Sequence, residues 1–330
     1  MTSVADIAAP GAGAGRTGAR ARRWLRLRAA PVLAVVLGIV ALWYAACVPM
    51  NVKETLTFAE RAGAEVTPAS PSERRAMGRW ALVAANPGHL GGSFALDRPR
   101  LPAPHQVVAE LWKTTVETAP TSKRSLVWHG WVTLSATLLG FGIGTALGVL
   151  LAVGIVHDRA MDMSVLPWAI ASQTIPILAI APMIIVVLNS IGLQGLIPKA
   201  LISAYLSFFP VVVSMVAGLR SPAASQMDLM HTYSATPAQV FWMLRLPASV
   251  PYLFAALKVG IAAALIGAIV GELPTGASEG LGARLLAGSY YGQTVQIWSA
   301  LFAAAILAAA MVGTIGALER ATLRRMGFAR

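Results

Sequence analysis

Six long apolar stretches, separated by polar residues, dominate the pattern along the chain. A helix needs about 20 mostly apolar residues to cross the hydrocarbon of a bilayer. Because lipid offers no partner for free amides, such stretches must be helices rather than open strands. The pattern predicts an all-α polytopic membrane protein with about six transmembrane helices, at residues 30–49, 131–156, 165–188, 197–218, 251–271 and 296–318.

Basic residues predict how these helices are oriented. The segment before the first stretch is rich in arginine, and arginine and lysine favour the cytoplasmic side of a membrane. The arginines of this tail are Arg16, Arg20, Arg22, Arg23, Arg26 and Arg28. We therefore expect both termini, and the connection at 219–250, to be cytoplasmic. The long first connection is also basic, but loops of that length cross largely regardless of charge.

The same pattern divides the chain into parts. They are a basic, disordered cytoplasmic tail at 1–28, a first transmembrane helix at 29–50, an extracytoplasmic loop at 51–125, a transmembrane core at 126–320 and a cytoplasmic tail at 321–330. An alternative interpretation makes residues 1–47 a cleaved signal that ends at Ala45-Ala46-Cys47. Tyr44 and the length of the apolar run disfavour that alternative.

Residues 105–118 of the first connection show a helical period. Their apolar side chains lie near one face and are Val107, Val108, Leu111, Trp112 and Val116. This period predicts a short helix that rests on the outer membrane interface. A small soluble subdomain that packs on itself is an equal alternative.

The composition agrees with a membrane protein and excludes several other classes. The chain has 330 residues, of which 56% are hydrophobic and only 12% charged, and its mean hydropathy is +0.66. The net charge of +12 does not predict nucleic-acid binding, because many arginines flank apolar stretches. One cysteine excludes an internal disulfide, and five scattered histidines predict no metal site. No P-loop motif is present, so we expect ATP to bind elsewhere.

Small residues in the second stretch predict a close helix contact. Gly140, Gly144 and Gly148 recur at intervals of four, which places them on one helical face. Small residues on one face let two helix backbones approach closely in lipid.

Two prolines interrupt the third stretch. Pro176 and Pro182 each remove a backbone donor, so this helix must kink or loosen. A bend beside Gln173 and Thr174 is what a lined translocation pathway needs. The alternative is that the prolines only shape the bundle and these polar groups bond to neighbouring helices.

Charged residues inside the stretches are rare, which argues against ion-coupled carriers. Lys258 lies about two turns into the fifth stretch, and Glu272 lies at its outer end. Glu272 is a candidate for gating the outer mouth or contacting substrate. Alternatively, it is an interfacial residue satisfied by water or a neighbouring loop.

The connection at 219–250 carries the most specific motif. Thr236-Pro237-Ala238-Gln239 is a capping box with proline at the first helical position, so a short helix begins at Pro237 after a break at Ser234-Ala235. Val240, Phe241 and Leu244 form an apolar face on it, and Leu246-Pro247 is expected to end it. Such a face predicts a groove on a partner.

This connection resembles the cytoplasmic signature of ABC importer permeases. That signature places Glu-Ala-Ala, a glycine, an aliphatic residue and Leu-Pro at fixed spacings. The same spacings give Asp228-Leu229-Met230, Ser234, Leu244 and Leu246-Pro247 here. The left-handed turn of the signature glycine costs a serine about 1 kcal/mol. The predicted ATPase-coupling residues are Asp228, Leu229, Met230, Ser234, Ala235, Val240, Phe241, Leu244, Leu246 and Pro247.

Other motifs are similar to the nitrate, sulfonate and taurine branch of these permeases. They are Leu101–Pro104, Ile175–Met183, Asn189–Gly192, Glu272 and Gly280–Gly282. Gly271–Gly276 and Ser289–Gly292 resemble the group assigned to thiamine-precursor pyrimidines or riboflavin. The resemblance covers roughly residues 100–318, and residues 51–100 look like an insertion.

The resemblance implies a type I ABC importer permease fold in the bacterial inner membrane, with residues 126–320 as the permease core. It implies two permease copies, two ATP-binding subunits and an extracytoplasmic substrate-binding protein as partners. The chain itself is then no enzyme and has no cofactor, because ATP and Mg²⁺ belong to the ATPase. The translocation pathway is expected at Gln173, Thr174, Pro176, Pro182 and Glu272. Phe241→Asp is expected to abolish association with the ATPase.

Overall fold

The computed structural model describes residues 30–274 and 279–327, and these residues form helices and no strand. They divide into two compact units, and the boundary in the chain lies between Gln106 and Val107. The predicted tail at 1–28 lies outside the described residues, as does the end of the predicted tail at 321–330. The structure confirms the all-α fold.

The first unit contains three helices and a 3₁₀ turn. They are α1 (Ala30–Arg61), α2 (Pro71–Ala76), α3 (Arg79–Ala85) and the 3₁₀ turn Pro87–Phe94. Helix α1 does not end where the apolar stretch ends, but continues as a polar helix to Arg61. Its far end packs on the residues that follow, through a small core of Val52, Leu56, Val66 and Leu82.

Two buried asparagines hold the irregular part of this unit. Asn51 donates to the carbonyls of Ser93 and Leu101, at 3.1 and 2.8 Å, and its own oxygen accepts from the amide of Arg100 at 2.9 Å. Asn86 exchanges hydrogen bonds with the backbone of Thr67. Side-chain amides of this kind satisfy backbone groups that no helix pairs.

The second unit contains the remaining helices. They are α4 (Pro104–Trp112, which begins just before the boundary and continues as a wide turn, Lys113–Glu117), α5 (Leu126–His157), α6 (Arg159–Ser172), α7 (Ile177–Ser190), α8 (Leu196–Leu219), α9 (Ala224–Thr232), α10 (Pro237–Glu272), α11 (Leu281–Tyr290) and α12 (Thr294–Arg325). Helix α4 is the amphipathic helix that the period of residues 105–118 predicts.

Helices α5, α8 and α10 form the centre of this unit. Gly140, Gly144 and Gly148 of α5 all face α8, and a Cβ atom at any of them would overlap it. At Gly148, for example, that atom would lie 2.8 Å from the Cβ of Val211. Ser203 of α8, which faces Gly140, also donates its hydroxyl hydrogen to the carbonyl of Ala264 in α10. In lipid, the hydrophobic effect does not drive helices together, so helices pack through close contact of their backbones.

The length of the third apolar stretch predicts one kinked helix, but the structure has two helices there. Helices α6 and α7 meet at an angle of 99° across the break at residues 173–176. Pro176 cannot donate a hydrogen bond and disfavours a helical conformation for Ile175 before it. By length and composition, five described helices can span a membrane, and the bent pair makes a sixth if it counts as one span.

Candidate functional site

The turn after α9 has the left-handed geometry of a glycine turn, although a serine occupies it. Ser234 has φ +53°. Its amide donates to the carbonyl of His231 at 2.9 Å, and the next amide, of Ala235, donates to the carbonyl of Met230 at 3.0 Å. These two bonds form a Schellman motif, which ends a helix with a left-handed residue. The backbone therefore keeps the sharp turn that the signature glycine implies.

Helix α10 begins directly after this turn, with the capping box that the sequence predicts. The amide of Thr236 donates to the Gln239 side chain at 2.8 Å, and the amide of Gln239 donates back to the Thr236 hydroxyl at 3.3 Å. The two bonds satisfy amides that the first turn of a helix leaves free. The start of α10 is thus set by its own sequence.

The prediction that Leu246-Pro247 ends this helix is wrong. Helix α10 continues from Pro237 to Glu272 through one wide π-helical turn, Phe241–Arg245. In that turn the amide of Leu246 donates to the carbonyl of Phe241. A wider turn relieves the clash between the Pro247 ring and the preceding turn, and Pro247 has no amide to leave unpaired. The short helix predicted at Pro237 and the fifth predicted span are therefore one helix.

The predicted apolar face of α10 points largely into the protein. Phe241 packs on the core where α5 ends, and its ring lies 5.2 Å from the ring of His157. Val240, Leu244, Leu246 and Pro247 are half-buried. Phe241→Asp would therefore place a charge in the core, so it does not test partner binding alone.

Other apolar side chains of the segment point outward. Trp242 is 65% exposed and Met243 is 70% exposed. On α9 and its turn, Leu229 and Tyr233 are also exposed, whereas Met230 and Ala235 are half-buried and Asp228 is exposed. The sequence analysis did not single out three of these exposed residues, namely Trp242, Met243 and Tyr233. The sequence did contain a signal for Trp242 and Met243. Every residue from Val240 to Leu244 is apolar, and a helix outside lipid is apolar on all sides only when each face is covered.

A groove lies between the end of α5, helix α9 and the start of α10. Its volume is ≈ 300 Å³. Its lining is mixed in polarity and consists of Val156, His157, Met227, His231, Ala235, Pro237, Val240 and Arg245. The groove and the outward side chains therefore lie at the same end of α10.

At the other end of α10, Glu272 is fully buried. Its carboxylate accepts hydrogen bonds from the Thr133 hydroxyl at 2.9 Å and from the amide of Gly282 at 2.7 Å. The Lys199 ammonium lies 4.0 Å away and is nearly buried as well. Neighbouring helices therefore supply hydrogen bonds to the Glu272 carboxylate, through Thr133 of α5 and Gly282 of α11.

The same group of residues holds the start of α11. The amide of Gly280 donates to the Nδ1 atom of His129 at 3.0 Å, and the amide of Leu281 donates to the Thr133 hydroxyl at 2.8 Å. Gly280 has φ +121°, and a Cβ atom there would overlap the Glu272 carboxylate. Only glycine fits this approach. Side chains of α5 and α10 therefore cap α11 from inside the protein.

A salt bridge on the surface ties the loop before α11. The Lys123 ammonium lies 3.1 Å from the Glu279 carboxylate, and its hydrogen bond lowers the pKa of Glu279. Lys199 also donates to the backbone carbonyl of Glu279 at 3.3 Å. Two lysines therefore hold Glu279, one through its side chain and one through its backbone.

The remaining pathway candidates lie at the break between α6 and α7. Gln173 is half-buried, and its Nε2 atom is enclosed with no hydrogen-bond partner among the described residues. Thr174, Pro176 and Pro182 are exposed, and the Thr174 hydroxyl donates to the carbonyl of Ala171 at 2.7 Å. In the described ranges, no three His, Cys, Asp or Glu residues are placed to hold a metal ion.

Comparison with known proteins finds matches across this second unit. The family described as "Binding-protein-dependent transport system inner membrane component" matches residues 144–326. The formylaminopyrimidine transport permease protein of Halalkalibacterium halodurans is 32% identical over 182 residues, which are 55% of this chain and 68% of that protein. The riboflavin transport system permease protein of Chloroflexus aurantiacus is 30% identical over 225 residues, 68% of this chain and 80% of that protein.

A more distant relative has a different named substrate. The nitrate import permease protein of Leptolyngbya laminosa is 24% identical over 253 residues, 74% of this chain and 80% of that protein. The shared family, rather than any one relative, therefore identifies the chain. It belongs to the family of binding-protein-dependent transport system inner membrane components and is a multi-pass permease subunit of an ABC importer.

Proposed function

We propose that residues 228–247 couple this permease to a separate ATPase subunit in the bacterial inner membrane. The supporting observation is the left-handed turn at Ser234 followed at once by the capped start of α10. The turn presents α9 and the first turns of α10 at a defined angle. Two copies of the chain, two ATPase subunits that carry ATP and Mg²⁺, and an extracytoplasmic binding protein complete the proposed importer. Both termini are cytoplasmic in this proposal.

Helix α10 is suited to transmit movement of the ATPase. Its 36 residues run from Pro237 to Glu272. At 1.5 Å per residue this is about 54 Å, which exceeds the thickness of a bilayer core. Lys258 of α10 forms an ion pair with Glu319, which links α10 to α12 at this point. A displacement at Met243 thus reaches the buried Glu272 contacts through one helix.

For the substrate, we propose a small neutral heteroaromatic molecule, namely a pyrimidine precursor of thiamine or a riboflavin-like compound. The printed names of the formylaminopyrimidine and riboflavin permeases, which are 32% and 30% identical to this chain, support it, and so does the internal pairing of charge. Lys258 pairs with Glu319, and Glu272 pairs with Lys199. These charges are therefore already neutralised within the chain. The second candidate is a nitrate, sulfonate or taurine, which the nitrate relative favours.

Association with the ATPase tests the proposed coupling. Met243→Asp places a charge on an outward side chain and should abolish co-purification of the ATPase subunit and ATP-driven uptake. Tyr291→Asp, at the other end of the bundle, is the matched control because Tyr291 is also 70% exposed. Both variants should insert and purify like the parent chain. Normal ATPase binding by Met243→Asp would overturn the assigned surface.

Uptake by the assembled transporter tests the substrate. Reconstituted vesicles with the cognate binding protein should accumulate a labelled formylaminopyrimidine or riboflavin when ATP is supplied to the ATPase. Titration of the binding protein with each compound, and with nitrate and taurine, compares the two candidates directly. Tight binding of an anion alone would reject the heteroaromatic proposal and leave the coupling proposal intact.

A further inference from the structure

A basic and aromatic patch lies on the first unit, before the residues 144–326 that match the family. It consists of Arg75, Met77, Arg79 and Trp80, which we call the headgroup patch. Trp80 is 72% exposed and Met77 is 36% exposed, and both arginines are exposed. The stretch from Arg74 to Leu96 contains no aspartate or glutamate. The patch is therefore basic as well as apolar.

Contacts with α1 hold this patch close to the end of the first span. The Lys53 ammonium donates to the backbone carbonyl of Arg75 at 2.8 Å. Leu82, in the same short helix as Trp80, packs on Val52 and Leu56. Lys53 is three residues beyond Met50, where the apolar stretch ends. At 1.5 Å per residue this is about 5 Å, which is within the polar headgroup layer of a bilayer.

Aromatic residues of α1 mark the same membrane boundary. The side chains from Val32 to Leu42 are mostly exposed, as expected for a lipid-facing helix. One turn later the helix is covered, since Cys47 is fully buried. Between the exposed part of α1 and Cys47, the Trp43 indole donates to the carbonyl of Pro102 at 3.0 Å. Tryptophan and tyrosine are enriched where a membrane meets water, so the folded part of the first unit begins at that interface.

From this placement, we infer that the headgroup patch binds anionic phospholipids. The Trp80 ring and the Met77 side chain lie in the interface, and the two guanidinium groups bind lipid phosphates. Arginine suits this role because it presents several donors to a phosphate in a fixed plane. Lipid is a better fit than a protein partner because the patch continues the interface that Trp43 marks. In the proposed topology, the lipids belong to the outer leaflet.

A fluorescent label placed beside the patch tests this inference. In a Cys47→Ala background of the full chain, Ala84→Cys provides a reporter one helical turn from Trp80, and Ala84 is exposed. Ala62→Cys is the matched control, because Ala62 is also exposed and follows the end of α1. That end lies about 16 Å beyond Met50 along the helix. Each labelled protein is reconstituted into phosphatidylcholine vesicles with or without phosphatidylglycerol and a nitroxide headgroup quencher.

We expect the quencher to dim the label at position 84 and to leave the label at position 62 nearly unchanged. Replacing Arg75 or Arg79 should lower the ratio of lipid-bound to lipid-free headgroup patch about fivefold in phosphatidylglycerol vesicles. The label at position 62 should be unaffected by those variants, which checks that the unit remains folded. Equal quenching at both positions would overturn the inference. If the label at position 84 is protected from the quencher only after the binding protein is added, the patch instead contacts that protein.

Discussion

The strained turn at Ser234 allows a sharp test of the coupling geometry. Ser234 has φ +53°, a conformation that costs a residue with a Cβ atom roughly 1–2 kcal/mol. Glycine avoids this cost but loses about 0.5–1 kcal/mol through its greater freedom in the unfolded chain. Among the described residues, the Ser234 hydroxyl has no hydrogen-bond partner that the substitution would remove. We therefore expect Ser234→Gly to stabilise the turn by about 0.5–1 kcal/mol.

Hydrogen exchange of the turn measures this change directly. The amides of Ser234 and Ala235 are bonded across the turn, so their exchange requires it to open. A stabilisation of about 0.5–1 kcal/mol slows that exchange roughly two- to fivefold. Ser234→Ala is the control, because alanine keeps the backbone cost and should exchange as fast as the parent. Faster exchange in Ser234→Gly than in the parent would show that the turn is not left-handed in solution.

Two further substitutions test the packing of the second unit. Gly144→Val should prevent stable folding, because its Cβ atom would overlap Ser207 of α8. Gly142→Val on the same helix is the control, because its side chain has open space and the variant should purify normally. Size-exclusion profiles in detergent compare the two variants, and equal profiles would contradict the contact between α5 and α8. Glu272→Gln should lower stability by about 2 kcal/mol because it leaves the nearly buried Lys199 without its counter-charge. A thermal unfolding midpoint equal to that of the parent would argue against that ion pair.

Features that depend on neighbours along the chain could be predicted from the sequence. The apolar stretches, the capping box at Thr236 and the spacing of Gly140, Gly144 and Gly148 are all local patterns. A stretch of about 20 apolar residues has one low-energy conformation in lipid. A capping box forms from residues three positions apart, so no tertiary contact is required to place it.

The direction of side chains within the coupling segment was harder to predict. Phe241 and Trp242 are adjacent aromatic residues, yet one packs beside His157 and the other is exposed. Their helix is apolar on all sides between Val240 and Leu244, so its composition does not show which face meets the core. The position of α5 makes that choice.

The sequence by itself determined that this chain is a bundle of membrane helices, where those helices lie and which segment resembles the signature of ABC importer permeases. Only the tertiary structure decided that α10 continues past Pro247 and that α6 and α7 meet at 99°. It also decided that Glu272 bonds to Thr133, which is 139 residues away in the chain. The reason is physical. Helix formation depends on neighbouring residues, whereas bends, inward faces and partners for buried charges depend on groups that only the folded bundle brings together.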